Sequence, residues 1–99
     1  MAVFYHVTSK LAWEEACQKG IYEHPSLELE GFIHCSQAHQ VEGVLQRYFT
    51  GQKDLVKLTI DPEKLTSRYV YDWSSSVADT FPHVYGPINL EAVIEVVPL

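Results

Sequence analysis

Cysteine occurs only twice in the 99 residues, at Cys17 and Cys35, which removes a disulfide framework from consideration. The pair is spaced neither as CxxC nor as zinc ligands, so both read as reduced thiols, with Cys17 buried on a helix. Positive charge is also thin: seven Lys and Arg stand against thirteen Asp and Glu, a formal net charge of -6. Gripping an extended nucleic acid needs a basic face, so no such partner is expected. No apolar run approaches the roughly 20 residues that span a bilayer. The opening Met-Ala-Val-Phe-Tyr-His lacks the basic region and apolar stretch of a signal peptide. A cytoplasmic protein without a membrane partner is the expectation. What is present is a hydrophobic fraction of 46%, enough for one core and a single domain over residues 1–99. It reads as a monomer or a homodimer, since the segment 92–97 suits either a central strand or a pairing edge.

Val3 to Val7, rich in β-branched and aromatic residues, predicts a buried strand. Thr8 and Ser9 supply an N-cap for a helix over 10–19 that Gly20 stops. Residues 22–29 mix a proline, a serine and charges and read as irregular. Phe32 to Cys35 is a short strand, and Ser36 caps a helix whose Val41, Val44, Leu45, Tyr48 and Phe49 recur at three and four residues up to Gly51. Strands follow over 55–60, 68–73, 81–85 and 91–97, with turns at Asp61-Pro62 and Gly86-Pro87 and a polar loop over 74–79. Two strand–helix units followed by strands predict an α+β fold, two helices packed on a mostly antiparallel sheet.

Three histidines stand in apolar or aromatic surroundings: His6 in the first strand, His34 in Phe-Ile-His-Cys-Ser, and His83 in Phe-Pro-His-Val-Tyr-Gly. His24 and His39 read as surface residues. Each embedded histidine is followed two residues later by a hydroxyl, on Thr8, Ser36 and Tyr85. Two residues apart on a strand share a face, so each segment offers an imidazole and a hydroxyl to one cleft. Three chemistries compete for that inventory. Three histidines and Asp72 suit a transition metal, yet HxH and HExxH are absent. Cys35 with a histidine suits nucleophilic catalysis, but Cys35 points away from His34 on a strand. A metal-free site, in which imidazoles and hydroxyls hold a sugar or phosphate and an aromatic stacks on a flat ring, fits best. Tyr5, Tyr22, Tyr71, Trp73, Phe81 and Tyr85 are the stacking candidates. No glycine-rich phosphate loop of the P-loop or dinucleotide-fold kind is present. Lys53, Lys57, Lys64 and Arg68 read as solvated surface.

The motifs Tyr5-His6-Val7-Thr8, Gly31-Phe32-Ile33-His34-Cys35-Ser36 with Gln40, and Phe81 to Pro87 resemble a family of small bacterial proteins, the domain of unknown function 952 family. The likeness runs over essentially the whole chain. That family is similar in fold to the ADP-ribosyltransferase superfamily, which implies a small split antiparallel β-sheet with NAD or an ADP-ribose group in the cleft. The resemblance makes His6 and Thr8 counterparts of a ribose-binding pair. It sets His34 and Ser36 as counterparts of residues that frame the nicotinamide, and Asp72 where relatives are expected to carry a glutamate. It implies a nucleotide ligand with NAD as substrate, a catalytic set of Asp72, His34 and His83, a binding set of His6, Thr8, Ser36 and Tyr85, and no metal. The expected function is binding of an ADP-ribose-containing molecule with transfer or hydrolysis of its ribosyl group. The alternatives are a nucleotide-binding module without catalysis and a histidine-dependent metal hydrolase.

Overall fold

The computed structural model describes residues 2–99. Strand β1 (Phe4–Ser9) buries Phe4, His6, Val7 and Thr8 and runs directly into helix α1 (Lys10–Lys19). Ser9 is the cap, its side chain accepting the Ala12 N–H at 3.0 Å. Gly20 ends the helix at φ 90°, a left-handed conformation that costs a residue without Cβ little. The chain then forms β2 (Ile21–Tyr22), a five-residue helix α2 (Ser26–Glu30), β3 (Ile33–His34), helix α3 (Val41–Tyr48) and β4 (Leu55–Ile60). Strands β5 (Tyr69–Ser74) and β6 (Asp79–Val84) make a hairpin, followed by β7 (Ile88–Asn89) and β8 (Val93–Pro98).

All pairings between these strands are antiparallel, in three small sheets ordered β1-β4-β8, β2-β7 and β3-β6-β5. The two three-stranded sheets meet at one bridge, where the Tyr5 N–H donates to Ser36 O at 2.8 Å and the Ser36 N–H donates to Tyr5 O at 2.7 Å. The chain is therefore α+β with small antiparallel sheets and few helices. Phe4, Ala16, Tyr22, Ile33, Cys35, Ile60, Val84, Ile88 and Ala92 form the core between them.

Several local expectations need correction. Residues 22–29 are not wholly irregular: Pro25 precedes α2, which Gly31 closes at φ 88°, so the described helices number three rather than two. Ser36 does not cap α3. It is buried and committed to the bridge, and the next turn starts with a capping box between Gln37 and Gln40. The last strand begins after a 3-10 turn over Leu90–Ala92 rather than at Glu91. Cys17 is exposed on α1, because Ala16 is the residue of that turn that reaches the core. No described helix is long and apolar enough to cross a membrane.

Candidate functional site: an imidazole and carboxylate face

The register of β3-β6-β5 sorts its side chains. Ile33, Pro82 and Val84 point into the core. His34 pairs with His83, Val70 with His83, and Asp72 with Phe81, so these residues share the opposite face. On it, Asp72 Oδ2 accepts from His83 Nδ1 at 2.8 Å and from the Tyr85 hydroxyl at 2.5 Å. Both bonds fall on one oxygen, which leaves Oδ1 of the half-buried side chain without a hydrogen-bond partner among the described residues. The Phe32 ring stacks on His83 with centroids 4.1 Å apart and planes 14° apart, and lies 4.8 Å from His34 and 5.3 Å from Tyr85. The rings of His34 and His83 are 5.1 Å apart. Glu30, at the end of α2, accepts from His34 Nε2 at 2.8 Å, and the Arg68 guanidinium lies 4.7 Å from the Tyr85 ring centre.

The electrostatics fix protonation states. The Tyr85 hydroxyl, and then His83, hold the Asp72 carboxyl below the usual carboxylate range. Burial lowers His83 despite its bond to Asp72. At neutral pH an ionised Asp72 therefore faces a neutral His83 whose proton is on Nδ1, and the Nε2 lone pair is left for a ligand. Asp72 raises Tyr85, keeping that phenol protonated as a donor.

A second imidazole–phenol group lies in the interior between β1 and β2. His6 is 4% exposed; its Nδ1 lies 2.6 Å from His34 O and its Nε2 2.7 Å from the Tyr22 hydroxyl, which is 3.0 Å from Thr8 Oγ1. A carbonyl only accepts, so Nδ1 carries a proton. Burial brings the His6 pKa down to about 4, so the ring is neutral and Nε2 accepts the single Tyr22 proton, leaving the Thr8 hydroxyl to donate to the phenol oxygen. Burial also pushes the Tyr22 phenol up to about 12.

Of the residues singled out from sequence, Asp72, His34, His83 and Tyr85 lie together on one open face. His6 and Thr8 sit behind it with their polar atoms engaged inside the protein, where they touch the site through the His34 backbone. Ser36 is buried at the inter-sheet bridge. The shared-face expectation thus describes His6 with Thr8 and His83 with Tyr85. It fails for His34 and Ser36, because β3 ends at His34 and the chain turns away. Cys35 faces the core, where burial pushes its thiol up and away from nucleophilic use. Sequence reasoning missed Phe32, whose spacing of two from His34 was a usable signal, and Glu30 and Arg68, which read as solvated charge. It also missed His24, half-buried with its ring 5.5 Å from His6. Among the described residues no three His, Cys, Asp or Glu side chains converge as a metal-binding group.

These features define a class of small α+β protein with small antiparallel sheets, few helices and an outward face of histidines and one carboxylate. The chain belongs to the family described as protein of unknown function (DUF952), whose model matches residues 7–96. It is similar to protein CC0527 from Caulobacter crescentus. The crystal structure of CC0527 superposes with a TM-score of 0.86 at 28% identity, covering 95% of this chain and 82% of that one. The solution structure gives a TM-score of 0.79 at 29% identity, covering 100% and 85%. No curated protein matches the chain.

Proposed function

We propose that the Asp72–His83 face binds NAD or another ADP-ribose-containing molecule, in an ADP-ribosyltransferase-like arrangement, and supports transfer or hydrolysis of the ribosyl group. The observation that carries this reading is that Asp72 Oδ2 takes the hydrogen bonds of both His83 Nδ1 and Tyr85, so that Asp72 Oδ1 and His83 Nε2 keep no hydrogen-bond partner among the described residues. Breaking the bond between nicotinamide and ribose builds positive charge on the sugar, and a preorganised carboxylate beside it lowers the barrier. The bonding pair leaves with the ring, giving neutral nicotinamide. The incoming water or acceptor hydroxyl forms the new bond to the anomeric carbon and gives its proton to His83 Nε2. Asp72 Oδ2 holds the His83 tautomer while Phe32 holds its ring plane. Tyr85 and His34 border the space a flat ring would enter, and Arg68 supplies a cation for a phosphate.

A non-catalytic nucleotide-binding module is the second reading. What favours it is the short reach of Asp72, tied down by two internal hydrogen bonds. Thermal unfolding with and without NAD, ADP-ribose, nicotinamide and zinc tests binding first, because a ligand of the folded state alone raises the midpoint. A rise with NAD or ADP-ribose that disappears in His34→Ala supports the reading. A rise with zinc alone defeats it in favour of a metal-dependent hydrolase.

A further inference from the structure

The face that carries Asp72 continues along β6. Alternation sets Asp79, Phe81 and His83 on one side of the strand, and Phe81 is the cross-strand partner of Asp72. Past Phe81, α3 closes toward the β5–β6 hairpin and leaves a hollow of about 190 Å³, lined by His39, Gln40, Gly43, Arg47, Asp79 and Phe81. The carboxylate there is already engaged at both oxygens. Asp79 Oδ2 accepts from His39 Nε2 at 2.7 Å and from Gln40 Nε2 at 2.8 Å, and Oδ1 accepts from the Thr80 N–H at 2.8 Å.

Arg47 is in the opposite condition. Among the described residues no carboxylate lies within ion-pair distance of it. Its guanidinium carbon sits 5.7 Å from the Tyr48 ring, a contact that uses none of its five N–H donors. The guanidinium leans back along α3 over Gly43, where an added Cβ would come within 3.0 Å of Nη1. A glycine inside a helix costs stability, and here it leaves the cation room to lie in the hollow.

We propose that this hollow is an anion subsite, in which Arg47 binds a phosphate-sized group and Phe81 joins it to the Asp72–His83 face. At about 3.3 Å per residue, Asp79 and His83 are roughly 13 Å apart. That span suits a nucleoside diphosphate sugar, one phosphate or the distal ring lying toward Arg47, and exceeds a lone ribose. The extension to one elongated ligand rests on the ADP-ribose reading; the anion subsite stands without it.

Titrating the whole protein with inorganic phosphate and pyrophosphate, followed by amide NMR, tests the subsite. Shifts are expected at Gly43, Arg47 and Thr80, with affinity falling about tenfold in Arg47→Gln and largely kept in Arg47→Lys. Gly43→Ala is the discriminating variant: it favours the helix and should raise thermal stability, yet it should weaken phosphate by displacing the guanidinium. No shifts at these amides, or equal affinity in Arg47→Gln, overturns the subsite. ADP-ribose that weakens in Arg47→Gln supports one elongated ligand, and ADP-ribose bound equally well in that variant overturns the extension. Phosphate binding without any ADP-ribose binding upholds the subsite and defeats the ADP-ribose reading.

Discussion

His6–Tyr22–Thr8 and His83–Tyr85–Asp72 are built from nearly the same parts, an imidazole, a phenol and a short oxygen-bearing side chain. The first is sealed between sheets, with both imidazole nitrogens partnered inside the protein. The second lies on the outer face of a hairpin, with one imidazole nitrogen and one carboxylate oxygen left over. The same inventory is therefore structural where burial exhausts its valences and keeps atoms free for a ligand where it does not. A histidine flagged by apolar neighbours is a poor guide to which of the two it is.

The contrast can be broken most strongly from the sealed side. His6→Ala removes a buried ring and strands both Tyr22 and the His34 carbonyl, and should cost about 3 kcal/mol in urea unfolding. Tyr22→Phe should cost about 1–3 kcal/mol by leaving Nε2 unpaired. Acid should act on the same group. The folded-state pKa of His6, about 4, lies below the ordinary imidazole value of 6.5, so the unfolded chain binds the extra proton first. The contribution is fully present above pH 6.5 and lost as pH falls toward 4, on the order of 3 kcal/mol across that window. His24 and His83 are lowered as well and add in the same sense. A stability profile with no decline between pH 6.5 and 4 would contradict the neutral, sealed imidazole.

The open side should respond in the reverse manner. Asp72→Asn is expected to abolish turnover and leave ligand affinity largely intact, while changing unfolding free energy by less than about 1 kcal/mol. Undiminished turnover would remove Asp72 from the mechanism. The smallest effect belongs to Glu30→Gln, which breaks an exposed pair with His34. It should shift stability by at most about 0.5 kcal/mol, and a larger loss would mean that this end of the face is structurally sealed too.

Much of the fold could be read from the sequence because its signals are local. Ser9 and Gly20 bracket α1, alternation marks β4, and Asp61-Pro62 and Gly86-Pro87 mark turns. The short helix α2 escaped because the five residues Ser26–Glu30, two of them acidic and preceded by Pro25, are too few to carry a period, and Cys17 was misplaced because α1 buries only one of its small residues. For the site, His83 and Tyr85 were legible from their two-residue spacing and Asp72 from the family resemblance, and the β5–β6 hairpin is what brings the three together. Tyr22 was noticed only as an aromatic ring; its bonds to His6 and Thr8 cross 16 and 14 residues, a distance over which no pattern speaks. His24 read as surface for the same reason.

The single bridge between Tyr5 and Ser36 also bears on the order in which the protein assembles. The β5–β6 hairpin closes over residues 75–78, an event of about 1–10 μs in isolation, and it already contains Asp72, His83 and most of the outer face. The other three-stranded sheet must join Phe4 to Ile60 and Leu58 to Val96, long loops whose closure comes slowly. The open triad is thus a product of early, local folding, and the sealed one waits for both halves to meet. Pulse-labelled hydrogen exchange should find the hairpin amides of His83 and Asp72 protected before those of Tyr5 and Ser36, so that the site is assembled before the lock that keeps it in place.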